Sequence, residues 1–219
     1  MNKLLELAHS LDKFVVGMEG NVSQRIKNDF LIKASGCSLK KLSKQDLVLC
    51  NIKGKQIDNF KKKPSIETQF HSILFQNLNI QFIAHTHPIN TLKILCSELV
   101  EEFANNRLFP DQVVFNGIKS CIVPYVAPGI ELAIEINKSI NIFNQFNKYF
   151  PKLILLKNHG IISLGSTAEE CLLATEICEK AAEIFLGSKL SGSINFLTES
   201  DQLELEKDPN EIYRKGLLT

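Results

Sequence analysis

The sequence predicts a single α/β domain, on three observations. Apolar residues recur at helical spacing in some segments and in short strand-like runs in others, and the two patterns alternate along the chain. No linker, repeat or low-complexity tract interrupts residues 1–190. The 219 residues, 44% of them apolar, suit one sizeable core. Residues 1–190 therefore read as the domain. Residues 191–219, with Pro209 and many charges, read as a C-terminal tail that is partly helical. Periodicity alone suggests the strands lie in a doubly wound parallel sheet.

Local signals justify each element. Leu4, Leu5, Leu7, Ala8, Leu11, Phe14 and Val15 place an amphipathic helix over residues 2–16. Gly17 and Gly20 mark a loop into a short strand over residues 22–26. "DFLIKASG" and "DLVLCNIKG" read as strands that stop at Gly36 and Gly54. In "KKKPSIETQFHSILFQNL" an apolar face of Ile66, Phe70, Ile73, Leu74 and Leu78 marks a helix. Ser65 is its expected N-cap, and Thr68 stands where a capping-box acid often does. The strand "IQFIAHTH" follows, then a helix from near Pro88 through "INTLKILC". Residues 98–118 give no clear pattern. "KSCIVPY" is a strand, "PGIELAIEINKSINIFNQF" a helix, "KLILLKNHG" a buried strand stopped by Gly160, and "GIISLG" another strand. "STAEECLLATEICEKAAEIFLG" is the clearest helix, with Ser166 as cap, Glu169 three residues on and Gly187 as its stop.

Composition narrows the function. Lys and Arg total 25 against 24 Asp and Glu, a formal charge of +1. That balance gives no electrostatic reason to expect nucleic acid or an anionic membrane as partner. The six cysteines form no Cys-x-x-Cys pair and read as reduced thiols of a cytoplasmic protein. "MNKLLELAHSLDKFV" lacks the unbroken apolar core of a signal peptide, and no run approaches the ~18 apolar residues of a membrane span.

The chemistry begins in "FIAHTHPIN". An apolar run ends in His85 and His87, which share one face of a strand with Cα atoms roughly 6–7 Å apart. Two imidazoles so placed can converge on one ion at about 2.0–2.1 Å each. In "KNHG" His159 stands just past another apolar strand, where α/β sheets tend to place function. The plainer alternative gives each histidine a backbone or carboxylate partner inside the core. Zinc commonly takes three protein ligands with an open position, and histidines with one carboxylate also suit iron or manganese. Glu67 and His71 lie four apart on one helix face. They form either an ordinary surface pair or, beside a metal, a ligand or acid/base (Glu67) with an orienting partner (His71). "EGNVSQR", "KASG" and "KKPS" combine Gly, Ser and Asn with turns whose N–H groups can hold phosphate, although such turns are often only turns. Lys61, Lys62 and Lys63 read as a solvated run.

Together "GNVS", "KASG", "PSIETQFH", "AHTHP" and "NHG" resemble, in order and rough spacing, the class II aldolase/adducin family over residues 3–190. That family includes fuculose- and rhamnulose-phosphate aldolases, ribulose-phosphate 4-epimerase and methylthioribulose-phosphate dehydratase. The resemblance implies an α/β/α layered fold with a largely antiparallel central sheet. It implies that His85, His87 and His159 bind one divalent metal per chain, zinc first, with Mn2+, Co2+ and Fe2+ as alternatives. Glu67 resembles the residue that both ligates the resting metal and serves as acid/base, and Asn21, Ser35, Gly36 and Ser65 resemble the phosphate-binding positions.

Two positions depart from the fuculose-phosphate aldolase type. Ile66 stands where a second serine follows Ser65, and Phe115 lies near where a proton-moving tyrosine is expected, leaving Tyr125 and Tyr213 as substitutes. The expected function is a metal-dependent sugar-phosphate lyase cleaving a ketose phosphate through a metal-stabilised enediolate. The alternatives are an epimerase, dehydratase or decarboxylase on a related sugar phosphate, or a non-catalytic adducin-like interaction module. The resemblance further implies a homotetramer with sites between subunits.

Overall fold

The computed structural model describes residues 1–217. Among the described residues seven strands form one sheet: β1 (Asn21–Ile26), β2 (Asp29–Lys33), β3 (Leu47–Asn51), β4 (Phe82–Thr86), β5 (Cys121–Val123), β6 (Leu153–Leu156) and β7 (Gly160–Gly165). Their order is β3-β2-β1-β4-β7-β6-β5. The loops joining β1 to β2 and β6 to β7 are too short for a crossover, so those pairs run antiparallel. β2–β3, β1–β4 and β4–β7 are antiparallel too. β5 and β6 run parallel, and a long helix, α6 (Ile130–Asn147), makes the crossover they require. The sheet is therefore largely antiparallel, as the resemblance implies, and the doubly wound parallel arrangement suggested by periodicity is corrected.

The remaining helices are α1 (Asn2–Leu11), α2 (Thr68–Leu74), α3 (Ile89–Leu95), α4 (Val100–Asn105), α5 (Pro110–Asn116), α7 (Ala168–Ser191), α8 (Glu199–Lys207) and α9 (Pro209–Gly216). The period-2 alternation of the strands sorts the core into layers. Ile83, Ile154, Leu156 and Ile162 pack on one face with Phe70 and Leu74 of α2 and Leu132, Ile136 and Ile140 of α6. On the opposite face Leu153, Leu155 and Ile161 meet Ile94, Phe103, Cys178 and Phe185, while Val22, Phe82 and Ala84 meet Leu4, Leu7 and Leu11 of α1. The result is an α/β/α sandwich. Fully buried Arg107 staples α4 to β5 by donating to the carbonyls of Phe103, Ala104, Asn106 and Gly117 and to Ser120 Oγ.

Several boundaries differ from the expected ones. The helix expected to residue 16 stops at Leu11 and passes through a 3-10 turn, Asp12–Phe14, into extended Val15. Phe14 O then accepts from His87 N–H (3.0 Å). Ser65 does not cap a helix. Its hydroxyl accepts from Glu67 N–H (3.3 Å) and its carbonyl from Thr68 N–H (3.1 Å) in a turn ahead of the helix, and α2 starts only at Thr68 with Glu67 as N-cap. The cap of α7 is Thr167, whose Oγ1 accepts from Glu170 N–H (3.0 Å), not Ser166. Gly187 sits within that helix, which runs on to its C-cap at Gly192 (φ 144°). Residues 98–118 contain α4 and α5. The C-terminal segment forms α8 and α9, held by Arg214–Asp111 (2.9 Å) and Lys215–Glu170 (2.9 Å) ion pairs. The end of the expected tail, Leu218 and Thr219, lies outside the described residues. The six cysteines are free thiols. Among the described residues no helix is long and apolar enough to cross a membrane.

Candidate metal centre and cleft

The sheet order brings three chain segments to one point. β1 lies against β4 with Asn21 opposite His85, and β4 lies against β7 with His85 opposite Ile162. His85 sits at the end of β4, with His87 just beyond it. His159 arrives in the tight turn from β6 to β7, where Asn158 takes φ 55°. Gly160 permits the close approach, since a Cβ there would lie 2.5 Å from both His87 Cδ2 and Thr86 O. The His85 ring centroid is 4.8 Å from each of the other two. One nitrogen from each of the three imidazoles can be chosen so that all lie within 4.8 Å of one another.

Glu67 closes the group. Its Oε2 is 3.4 Å from His85 Nε2 and its Oε1 is 3.4 Å from His159 Nε2, while His85 and His87 face each other through Nε2 at 3.0 Å. Four ligands about 2.0–2.1 Å from one tetrahedral centre would lie about 3.3–3.4 Å apart, so these separations suit a shared cation. His85 Nδ1–H donates to Ile161 O (2.9 Å), which leaves the Nε2 lone pair facing the group. Among the described residues Glu67 Oε1 is buried without a hydrogen-bond partner, the kind of orphaned acceptor a cation would satisfy. Burial and then His87 hold His85 down at about 3, and burial and then His85 hold His159 at about 4. Both are therefore neutral near pH 7, the form that ligates metal. Burial pushes the Glu67 carboxyl above its usual range, against the pull of His159 and Asn21.

A buried chain of hydrogen bonds fixes that carboxylate. Asn21 Nδ2 donates to Glu67 Oε2 (2.8 Å) and lies 3.3 Å from Ser65 Oγ. Asn21 Oδ1 accepts from His71 Nε2–H, so His71 Nδ1 accepts from the Ser23 hydroxyl (2.7 Å). His71 stacks on Phe70, and burial holds it well below its ordinary value. Glu67 and His71 are 6% and 0% exposed, so they are not a surface pair.

An antiparallel bridge between Ala34 and Pro64 brings "KASG" and "KKPS" together. Asn21, Ser35, Gly36 and Ser65 thus line one cleft of about 230 Å³ with Glu67 and the three histidines. The Ser35 and Ser65 N–H groups are occupied by that bridge, whereas no hydrogen bond within the described residues engages the Ser35 hydroxyl or the Gly36 N–H. The exposed residues Tyr125 and Tyr213 are not brought to the cleft, and Phe115 lines a different cavity beside Phe150 and Lys152. Two cleft residues escape sequence reasoning. Lys33 is 2% exposed, with Nζ donating to Met18 O (2.9 Å) and to Cys37 O and, among the described residues, no carboxylate paired to it. Glu19 lies 3.2 Å from His87 Nδ1. A lysine ending a strand just before Ser-Gly was the available signal for the first, and loop residue Glu19 offered none.

Comparison with known proteins gives a consistent result. The family model described as Class II Aldolase and Adducin N-terminal domain matches residues 2–186. An L-fuculose phosphate aldolase of Methanococcus maripaludis is 31% identical over 174 residues, covering 78% of this chain and 87% of that protein. A 3-oxo-tetronate 4-phosphate decarboxylase of Haemophilus influenzae is 29% identical over 200 residues, covering 88% of each chain. The solved structure of YgbL from Escherichia coli superposes with a TM-score of 0.79 at 22% identity, covering 94% of this chain and 97% of that one.

Proposed function

The chain belongs to the class II aldolase and adducin family, and we propose that it is a metal-dependent lyase cleaving a ketose phosphate. One observation carries this reading: Glu67 converges with His85, His87 and His159 in a cleft whose wall holds Ser35, Gly36, Ser65 and Lys33. The three imidazoles and Glu67 would hold a divalent cation, zinc first, with manganese, cobalt or iron(II) as alternatives. Such a cation supplies Lewis acidity, polarising the ketose carbonyl and stabilising the negative charge left when the C–C bond breaks.

This chain's residues do the rest. Glu67, with its raised carboxyl, moves the proton at the carbon left electron-rich by cleavage. Asn21 and His71 keep the carboxylate aimed for that transfer. The Ser35 hydroxyl and Gly36 N–H receive the phosphate beside Ser65, which Asn21 braces, and the Lys33 ammonium adds charge complementarity. The test is turnover of a panel of ketose phosphates by metal-loaded protein, followed by phosphorus NMR and mass. Two carbonyl fragments summing to the substrate support the assignment, and undiminished turnover in a His85→Ala/His87→Ala double variant contradicts it.

A second reading rests on the placement of the phenols. All three tyrosines, Tyr125, Tyr149 and Tyr213, lie outside the cleft-lining set, so no phenol of this chain stands ready to protonate a leaving aldehyde. The same cleft would then serve decarboxylation, epimerisation or dehydration of a related sugar phosphate. The product screen separates these by loss of carbon dioxide, unchanged mass or loss of water. We also read the protein as a cytoplasmic homotetramer. Met18 and Ile66, exposed at the cleft rim, offer apolar surface to a neighbouring subunit, and light scattering tests that assembly.

A further inference from the structure

His85 and His87 present the same ring nitrogen, Nε2, to each other, and something must hold each in that orientation. For His85 the holder is a backbone carbonyl, Ile161 O at 2.9 Å from Nδ1. For His87 it is a side chain. Glu19 Oε2 lies 3.2 Å from His87 Nδ1 and is itself anchored by Val16 N–H at 3.0 Å. Glu19 N–H returns to Val16 O (3.2 Å), so side chain and backbone of this residue both close on Val16. The following Gly20 (φ 66°) lets this turn press against β4, since a Cβ there would lie 2.7 Å from His85 O.

We propose that Glu19 is a positioning residue for the cation site, fixing His87 as the Nδ1–H tautomer so that its Nε2 lone pair is presented to the metal. This inference rests on the metal-binding reading above. With Nδ1 donating in both rings, both Nε2 atoms carry lone pairs, and these face each other at 3.0 Å. Two lone pairs at that separation repel unless a cation shares them.

The test uses the full chain stripped of metal. Zinc affinity is measured by competition with a chromophoric chelator for the wild type, Glu19→Gln and Glu19→Ala, with thermal unfolding of each metal-free protein as control. Glu19→Ala is expected to bind zinc about 10–100-fold more weakly at unchanged metal-free stability. Glu19→Gln, which keeps an oxygen acceptor, should recover most of that loss, and the visible bands of the cobalt-loaded alanine variant should change shape. A wild type that binds zinc and a folded Glu19→Ala that binds it equally well overturn the proposal alone. A wild type that binds none overturns the metal reading with it. Should the alanine variant fail to fold, imidazole nitrogen NMR of the metal-free wild type at pH 8 decides. His87 protonated on Nδ1 upholds the proposal, and His87 protonated on Nε2 overturns it.

Discussion

His85 and His159, held at about 3 and about 4, lie below the unfolded imidazole value near 6.5. On unfolding each takes up a proton whenever the pH is below that value. Their contribution to stability is full above about pH 6.5 and is lost as pH falls through 4 toward 3. Buried His71 acts in the same direction. The raised Glu67 carboxyl acts oppositely and softens the fall, one group against three. Thermal unfolding in chelator should therefore show a midpoint that drops between pH 6.5 and 4, and a flat or rising midpoint contradicts the burial of these rings. Glu67→Gln keeps the shape but removes the charge and the proton-transfer group. Turnover should fall by about 10²–10⁴-fold, with zinc affinity also reduced, as read from kcat and chelator competition. At this scale the convergence of the candidate site was legible in part: His-x-His at a strand end dictates a shared face, whereas Glu67 precedes α2 as its N-cap and meets His71 only through Asn21. Glu19 and Lys33 were not legible, since their roles arise from a loop and a strand end folding over the cleft.

The elements were legible in kind and less so in their ends. Apolar spacing located α1, α2, α6 and α7, but tertiary hydrogen bonds set the boundaries. Ser65 had the chemistry of a cap, and its hydroxyl does accept from Glu67 N–H (3.3 Å), but it does so in a turn ahead of the helix, which starts at Thr68 with Glu67 as its N-cap. At α7, Ser166 and Thr167 are both good caps, and the geometry chooses the second. Thr167→Ala should cost about 1 kcal/mol in urea unfolding, and an unchanged midpoint would contradict that assignment. The β6–β7 turn makes a sharper demand. In Gly160→Ala the new methyl meets Thr86 O, a backbone atom, and His87 Cδ2, both at 2.5 Å. It should lower stability by roughly 1–3 kcal/mol and weaken zinc binding. A variant with native zinc affinity would show that the turn does not hold His87 in place.

For the whole molecule, local pattern could not decide strand direction. Helical and strand-like segments in alternation are compatible with parallel crossovers, yet the helix-bearing connections here mostly link strands that are not sheet neighbours. β3 and β4, joined through α2, stand three places apart. That topology sets β1 beside β4 and β4 beside β7, and so brings Asn21, His85 and the His159 turn together. Only the combination of motifs, which resembled a family, carried that information in the sequence. This topology is expected to hold a cation, and metal content reads that out without any assumption about the substrate. Protein purified without affinity tag or chelator should carry about one divalent metal per chain by inductively coupled plasma mass spectrometry. The folded His85→Ala/His87→Ala double variant should carry none. A wild type that holds no metal, and takes up none when zinc, manganese, cobalt or iron is offered, would contradict the account and leave a non-catalytic interaction module as the better description.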